Sequence, residues 1–592
     1  MIQTAIDHLL GHRPQQAEAV LRRLVARNPR DAEALGFLGL ALCHQARFEQ
    51  AEFSMKRALA LAPNQPSLHI NYANLLWSLR RLDDSVAHYH TALGLRPDSV
   101  EAHIGLAAVL AAQCEYDGAI EHARRGVALG AADSGARLNL ASALSGAGFI
   151  AESLRTAEES LAANPNHQDQ IPNYLMTLNY DHRLSPQEVF ERHRTIAPRI
   201  ATCRSAPAFF FRGTLNPNRK LRVAYFSPDI RGHVVAIFLE GLLRGHDRDR
   251  FHLMGFHTGL ADARTVELAT LFDAFNQMES LDPVDITAAI RAQDPDILVE
   301  LAGHSDGGRL FPLAARCAPV QVEYCGYPNT TGVPNVDYRL VDEWTDPAPD
   351  ADALSTETLV RLPRCFLCYR PPADLPGVGE AAFVRNGHIT FGSFNAAPKV
   401  NEHVLSLWAK IMQRVPGSHL VLKNRPLTSA TVRERVLSVL EAGGVGRERV
   451  ELVSWTAGPA DHLATYNRVD IALDTLPYNG TTTTCEALLM GVPVVAMAGN
   501  SHVSRVGVSL LTAVGCPELI ATDTRGYMDL AVTLAGQPER LRAYRATLRS
   551  QMLASPLCDA GSLAAAVEDR YRWMWARACD GAGPPARAEG GA

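Results

Sequence analysis

VDIALDTLPYNGTTTTCEALLMGVPVVAM, residues 469–497, decides the fold. It opens on a short apolar run, VDIALDT (469–475), and closes on another, VPVVAM (492–497), with a helical stretch between them. Runs of that length, rich in Val and Ile, read as strands. A strand, a helix and a second strand in succession form a unit of parallel α/β architecture. The turn after the first strand carries the chemistry. Asn479-Gly480 makes a tight bend, and four threonines, Thr481, Thr482, Thr483 and Thr484, lead into the helix. Unpaired amides and hydroxyls at a helix N-terminus attract anions, so a diphosphate is the natural guest. Glu486, one turn in, is placed to accept hydrogen bonds from ribose hydroxyls. A plain threonine-capped helix is the alternative.

The same pattern extends outward. HITFGSF (388–394), HLVLK (419–423) and VELVSW (450–455) supply further strands of this lobe. SFNAAPKV (393–400) follows the first of them. Lys399 there would reach a leaving phosphate, and a cation at a developing diphosphate lowers a barrier by roughly 2–4 kcal/mol. Asn395 fixes the turn or touches the same ligand. His462, in GPADHLATY, offers a ring on which a nucleobase stacks.

Upstream lies a second series: LRVAYF (221–226), FHLMGF (251–256), DILVEL (296–301), VQVEYC (320–325) and DYRLVD (337–342). Three strand-end motifs follow. SPDIRGHVV (227–235) brings Asp229 and His233, the latter suited to proton transfer near neutral pH or, more plainly, to capping a helix. AGHSDGG (302–308) puts His304 on the expected cleft rim. GYPNTTG (326–332) offers flexible backbone and hydroxyls, and Tyr327 and Pro328 join Asp229 and His233 on the side of the cleft where a second substrate would lie. Ligands bind open α/β sheets at the carboxyl ends of their strands, so two lobes imply a cleft between those edges. Residues 343–385, rich in Pro, Asp and Ala, read as a connection.

Before residue 166 the period differs. Pro29, Pro63, Pro97 and Pro165 are separated by 34, 34 and 68 residues, with Ala131 at the skipped position. Small residues such as Gly39, Ala51 and Ala58 recur where two helices must approach closely. This is the period of the tetratricopeptide repeat (TPR), a superhelix of helix pairs with a concave groove. Asn71, Asn74 and Asn139 are candidates for holding an extended peptide backbone.

The expected organisation is a TPR superhelix (1–165), a helical linker (166–217), an N-terminal Rossmann-like lobe (218–385), a C-terminal lobe carrying the candidate nucleotide site (386–560), a C-terminal helix (561–578) and a disordered tail (579–592). With 592 residues and 47% hydrophobic content the chain is an ordinary multidomain globular protein. A net charge of -6 argues against nucleic acid. No membrane span and no cleavable signal are evident, so a cytoplasmic location is expected. Cys365 and Cys368 form a lone CxxC, which reads as reduced thiols rather than zinc. The acidic pairs Asp294/Asp296 and Asp350/Asp352 do not end apolar strands, and neither metal nor other cofactor is expected.

The repeat arm followed by SPDIRGH, GYPNTTG, SFNAAPK and LDTLPYNGTTTTCEALLMGVPVVAMAG resembles the O-linked N-acetylglucosamine (O-GlcNAc) transferase family and its plant relative Spindly, from about 15 to 560. The resemblance implies an inverting glycosyltransferase of the two-lobed GT-B fold that modifies Ser or Thr hydroxyls of proteins held along the TPR groove. It gives Lys399 and Asn395 a place at the donor, His233 one at the acceptor, His462 one at the base, Thr482 and Thr483 one at the phosphates and Glu486 one at the ribose. It leaves two donors open. UDP-GlcNAc is the first expectation. Thr481 stands where animal members have His and Ala396 where they have Gln, and these forms look closer to Spindly, whose donor is GDP-fucose. A non-catalytic scaffold and a transferase acting on small or lipid-linked acceptors are the competing classes.

Overall fold

The computed structural model describes residues 1–584 apart from 12, 131–133, 280 and 457. The chain divides into two compact units, Met1–Asn164 and Pro165–Ala592.

The first unit is helical throughout, ten helices in consecutive pairs from Ile2–Leu10 to Ile150–Ala163 among the described residues. Pro29, Pro63, Pro97 and Pro165 each follow the second helix of a pair, where the missing N–H and fixed φ end it. Ala131, the skipped position, lies outside the described residues. Ala51, Ala58 and Leu42 are fully buried, as close helix packing requires. The repeat shows in polar contacts as well. His69 meets His88, and His103 meets His122, each Nδ1 to Nδ1 at 3.0 Å, in consecutive repeats. Two of the amides expected to hold a peptide are used inside the array. Asn139 donates to Ile104 O at 2.9 Å, and Asn74 accepts from the Tyr89 hydroxyl.

The second unit holds two parallel sheets. The first comprises β1 (Leu221–Ser227), β2 (Phe251–His257), β3 (Ala274–Gln277), β4 (Ile297–Glu300), β5 (Val320–Tyr324), β6 (Tyr338–Asp342) and β7 (Thr358–Leu362). The second comprises β8 (Thr390–Ser393), β9 (His419–Lys423), β10 (Val450–Val453), β11 (Ile471–Leu473), β12 (Val494–Met497) and β13 (Ile520–Ala521). Strand order is β3-β2-β1-β4-β5-β6-β7 in one and β10-β9-β8-β11-β12-β13 in the other. Each sheet therefore reverses direction once, between β1 and β4 and between β8 and β11, and those are the switch points at which such sheets bind ligands.

Three strands escaped the sequence reading, and all lie at sheet edges. β3 (AFNQ) and β13 (two residues) have little apolar signal, and β7 sits in the segment 343–385 that reads as a connection. β7 pairs in parallel with β6, Tyr338 opposite Thr358. An edge strand is paired on one side only and needs no continuous apolar run.

The segment 166–217 is helical but is no spacer. Helices Gln170–Leu178 and Pro186–Ile196 belong to the second unit and pack on both lobes. Tyr180 stacks on Tyr478 at 5.2 Å and His182 on His403 at 5.5 Å. The lobes are also tied directly: Asp346 meets His502 Nδ1 at 2.5 Å, and Arg505 Nε donates to Trp344 O at 2.7 Å. At the C-terminal end, helix Pro538–Leu553 packs on the second lobe and Ala560–Cys579 returns to the first. There Glu568 accepts from His246 Nδ1 at 2.9 Å, and Tyr571 lies 3.3 Å from the Tyr225 hydroxyl. Among the described residues no helix is long and apolar enough to cross a membrane.

Candidate functional site

The switch point of the second sheet assembles most of the expected donor residues. Asp474 ends β11, and its Oδ1 accepts from Thr475 N at 2.9 Å and Gly480 N at 2.6 Å. That double bond folds residues 475–480 into the tight turn. A Cβ on Gly480 would stand 2.5 Å from Thr483 Oγ1 and 3.0 Å from Asn395 Oδ1, so the close approach needs glycine. Helix Thr482–Leu489 follows, and its N-cap residue Thr481 makes no side-chain cap. The first N–H groups of a helix have no intrahelical partner, so this end is left to an anion. At the other end Arg545 donates to Met490 O at 2.9 Å and Arg549 to Leu489 O at 2.7 Å, satisfying the last carbonyls.

Lys399 ends a short 3₁₀ turn, Ala397–Lys399, after β8. Its ammonium donates to Asn479 O at 2.9 Å and lies 3.8 Å over the Tyr478 ring. The cation thus touches the turn that carries the threonines. Burial pushes Lys399 below the ordinary lysine range, with nearby Asp474 opposing, and burial pushes Asp474 above the usual carboxylate range. Asp474 Oδ2 is buried and has no hydrogen-bond partner. Asn395 accepts from Thr483 Oγ1 at 3.1 Å and donates to Ser393 Oγ at 3.2 Å. Thr484 is the exception among the four threonines. It is buried, and its hydroxyl donates to Gly480 O at 3.1 Å, so it braces the turn from within.

His462 is held edgewise. Its Nε2 lies 2.9 Å from Glu486, and its Nδ1 lies 2.6 Å from the Lys423 ammonium. Lys423 can only donate, so Nδ1 accepts and the ring proton sits on Nε2, facing Glu486. The Tyr466 hydroxyl also reaches Glu486, at 3.1 Å. The sequence motifs do not single out Lys423 or Asp474. Their signal was present: each is a charge at the carboxyl end of an apolar strand.

The first sheet contributes less than expected. Asp229 and His233 follow β1. Asp229 is buried, its carboxyl pushed up to about 6 by desolvation, and its Oδ1 lies 3.4 Å from His233 Nδ1. His233 is the N-cap of helix Val234–Gly245, Nδ1 accepting from Val235 N at 3.4 Å, and burial lowers it to about 4. It is neutral at physiological pH. Its Nδ1 faces both the Val235 N–H and the Asp229 carboxyl, so the ring is held in place at one nitrogen.

Three expectations fail. His304 is not on a rim but 1% exposed. Gly303 turns in the left-handed region (φ +55°), and the following ring tucks against Tyr327 with Nε2 2.6 Å from Thr331 O. Tyr327 is likewise 1% exposed, its hydroxyl 2.6 Å from His193 Nε2 and 3.1 Å from Asn179 Nδ2, and Pro328 beside it is buried. The GYPNTTG loop is not flexible either: Thr330 and Thr331 both bond Glu357, Thr330 at 2.6 Å. The helices at 170–196 cover this loop and turn an expected surface into core.

A cavity of about 420 Å³ in the same unit is bordered by Asp181, His182, Pro347, His403, Pro477 and His502. Its lining includes Asn179 and, from the turn 475–480, Leu476 and Pro477, but not Asn395, Lys399, His462, Thr483 or Glu486; the strand-end constellation is what can act on a substrate. Among the described residues no three His, Cys, Asp or Glu side chains gather where they could hold a metal ion. Cys365 and Cys368 are buried thiols, Cys365 accepting from Ser509 Oγ at 3.2 Å.

A prediction follows from Lys399. If its cation is the working form, activity is present below its folded pKa and lost as pH rises through it. Donor kcat/KM should therefore decline at a pH below that at which free lysine titrates, about 10.4. Lys399→Arg, always charged, should lack that alkaline limb. A wild-type profile flat up to about pH 10 would contradict the assignment.

The sequence model of glycosyl transferase family 41 matches residues 167–370 and 381–567, and that of the tetratricopeptide repeat matches 3–66 and 72–136. The chain is 40% identical over 430 residues to an Arabidopsis thaliana protein described as probable UDP-N-acetylglucosamine–peptide N-acetylglucosaminyltransferase SPINDLY, covering 72% of this chain and 47% of that one. It is 28% identical over 383 residues to the Arabidopsis protein SEC of the same description, covering 62% and 38%. The chain spans about half the length or less of these curated relatives. The solved structure of a Thermobaculum terrenum O-GlcNAc transferase mutant superposes with a TM-score of 0.82 at 33% identity, over 87% of this chain and 98% of that one.

Proposed function

The chain belongs to glycosyl transferase family 41, and from that premise we propose that it is an inverting protein O-glycosyltransferase that moves N-acetylglucosamine from UDP-GlcNAc to Ser or Thr hydroxyls. The observation that carries the reading is that the Lys399 ammonium donates to Asn479 O, in the turn that leads directly into the helix Thr482–Leu489, whose N-terminus has no side-chain cap.

The donor diphosphate lies on Lys399 and on the first turn of that helix, its ribose at Glu486 and its base at His462. The acceptor oxygen forms a bond to the anomeric carbon from the face opposite the diphosphate. The bond from that carbon to the diphosphate oxygen breaks, and the electron pair leaves with the nucleotide. Lys399 and the helix N-terminus offset the charge that grows there, and such preorganised stabilisation is commonly the largest contribution to catalysis. The acceptor proton passes to solvent or to the departing phosphate. His233 orients the acceptor or the sugar. Protein acceptors are the partners, held along the groove of the tetratricopeptide unit, and the reaction proceeds in the cytoplasm.

GDP-fucose is the second donor, favoured by Thr481 and Ala396 at the two positions noted above. Incubation with UDP-GlcNAc and GDP-fucose separately, following donor hydrolysis and transfer, tests both. Saturable use of UDP-GlcNAc supports the first reading and preference for GDP-fucose the second. Use of neither overturns the transferase. Within the active reading, His233→Ala should keep several-fold more turnover than Lys399→Ala and mainly raise the acceptor KM. Equal loss of kcat in the two variants would return His233 to the chemical step.

A further inference from the structure

We infer that Lys423 is a specificity residue of the donor site, donating to a ring carbonyl of the donor's nucleobase and so selecting uracil or guanine over adenine and cytosine. This rests on the donor placement proposed above.

The argument begins with position. Lys423 is the last residue of β9, next to β8 in the second sheet, so it stands at the same carboxyl edge as Asn395 and Lys399. The residue after it, Asn424, donates to Asn395 O at 3.2 Å, which fixes this strand end to the SFN turn. Lys423 is 7% exposed, yet among the described residues no carboxylate lies within ion-pair distance of it. Its ammonium lies 2.6 Å from His462 Nδ1 and 6.0 Å from the centre of the Phe394 ring. An ammonium carries three donors. One enters His462. A buried cation keeps its charge at a cost unless its remaining donors are met, and burial does lower Lys423, with Glu486 opposing.

The second step is spacing. Glu486, His462 and Lys423 form a continuous chain, Glu486 at 2.9 Å from one ring nitrogen and Lys423 at 2.6 Å from the other. With ribose at Glu486, the ammonium stands one imidazole width further along. That is the separation between a sugar and the far edge of its base. His462, its tautomer fixed at both nitrogens, presents its face rather than its edge for stacking.

The third step is chemistry. Lysine donates and never accepts. At the far edge uracil and guanine carry a carbonyl oxygen, whereas cytosine and adenine carry an amino group. An ammonium facing an amino group leaves both donors unmet in a partly desolvated site. Sites built to hydrogen-bond a substrate reject the analogue that lacks the matching group strongly.

The test uses the full chain with UDP, GDP, CDP, ADP and inorganic pyrophosphate, each titrated calorimetrically. Wild type should bind UDP or GDP at least about tenfold more tightly than CDP and ADP. Lys423→Met should lose most of that preference, weakening UDP and GDP and tightening CDP and ADP if anything, leave pyrophosphate affinity within about twofold, and raise donor KM more than it lowers kcat. Lys423→Gln, which keeps a donor of similar reach, should retain part of the preference and guards against a folding effect in the Met variant. An unchanged preference in both variants overturns the role of Lys423 while the donor site stands. A wild type that binds no nucleotide at all sinks the donor placement itself, and the inference with it.

Discussion

Lys399→Ala is expected to lower turnover about 100-fold or more while the protein remains folded. The ammonium touches the donor turn through Asn479 O and rests on the Tyr478 ring, so its removal deletes a cation without opening the core. The orphaned carbonyl costs about 1 kcal/mol of stability, which a chain with two large sheets tolerates. The loss should appear in kcat, because stabilisation of a leaving diphosphate matters more as the bond breaks than in the ground state. Lys399→Arg should recover part of it, since a guanidinium keeps the charge in a different shape. Circular dichroism establishes the fold, and transfer and donor hydrolysis are measured under saturating donor. Turnover within about tenfold of wild type would remove Lys399 from the chemistry.

The second large effect concerns stability. Arg339, on β6, is 3% exposed and serves three acceptors: Glu323 Oε2 at 2.9 Å, Tyr327 O at 3.3 Å and Asp346 at 3.8 Å. Asp346 in turn holds His502 of the second lobe. His502 is kept neutral by burial, whereas Asp346 is held down to about 2, so a neutral ring donates to a carboxylate. Arg339→Ala leaves Glu323 and Asp346 buried without their cation, and breaking a buried pair from one side costs about 3–5 kcal/mol. The unfolding midpoint in urea should fall accordingly. Arg339→Met, which fills the space but lacks charge, should be nearly as harmful. A loss under about 1 kcal/mol in both would mean that the network is not what joins the lobes.

How far the sequence could be read depends on which interactions leave a local mark. The central strands, the turn 475–480 and the proline-paced repeats declare themselves, because burial on both faces demands apolar runs and helix pairs demand small residues at fixed steps. The edge strands β3, β7 and β13 do not, since half their surroundings are solvent or loop. Among site residues, Lys399, Asn395, Thr483, His462 and Glu486 meet at one sheet edge, as their strand-end positions imply. His304, Tyr327 and Pro328 share that positional signal and are buried regardless. What separates the two groups is the pair of helices at 170–196, which cover one strand-end loop and leave the others open. No pattern within GYPNTTG or AGHSDGG reports a lid supplied from more than 100 residues upstream. The amides of the repeat arm teach the same lesson: Asn139 and Asn74 look free in the sequence and are engaged by their own array.

The return of helix Ala560–Cys579 to the first lobe has a consequence for biosynthesis. Tyr225 and His246 find Tyr571 and Glu568 across 346 and 322 residues of chain. A ribosome that has finished the first sheet has made neither partner. The lobe synthesised earlier must wait for the last helix to emerge while the later lobe closes on local contacts. Contacts that distant slow folding, and half-built sheets with an uncovered face are prone to aggregate. Chains truncated just before residue 560 and released from the ribosome should therefore expose the Tyr225 and His246 face to chaperones, although the strands and helices of their second lobe are all present.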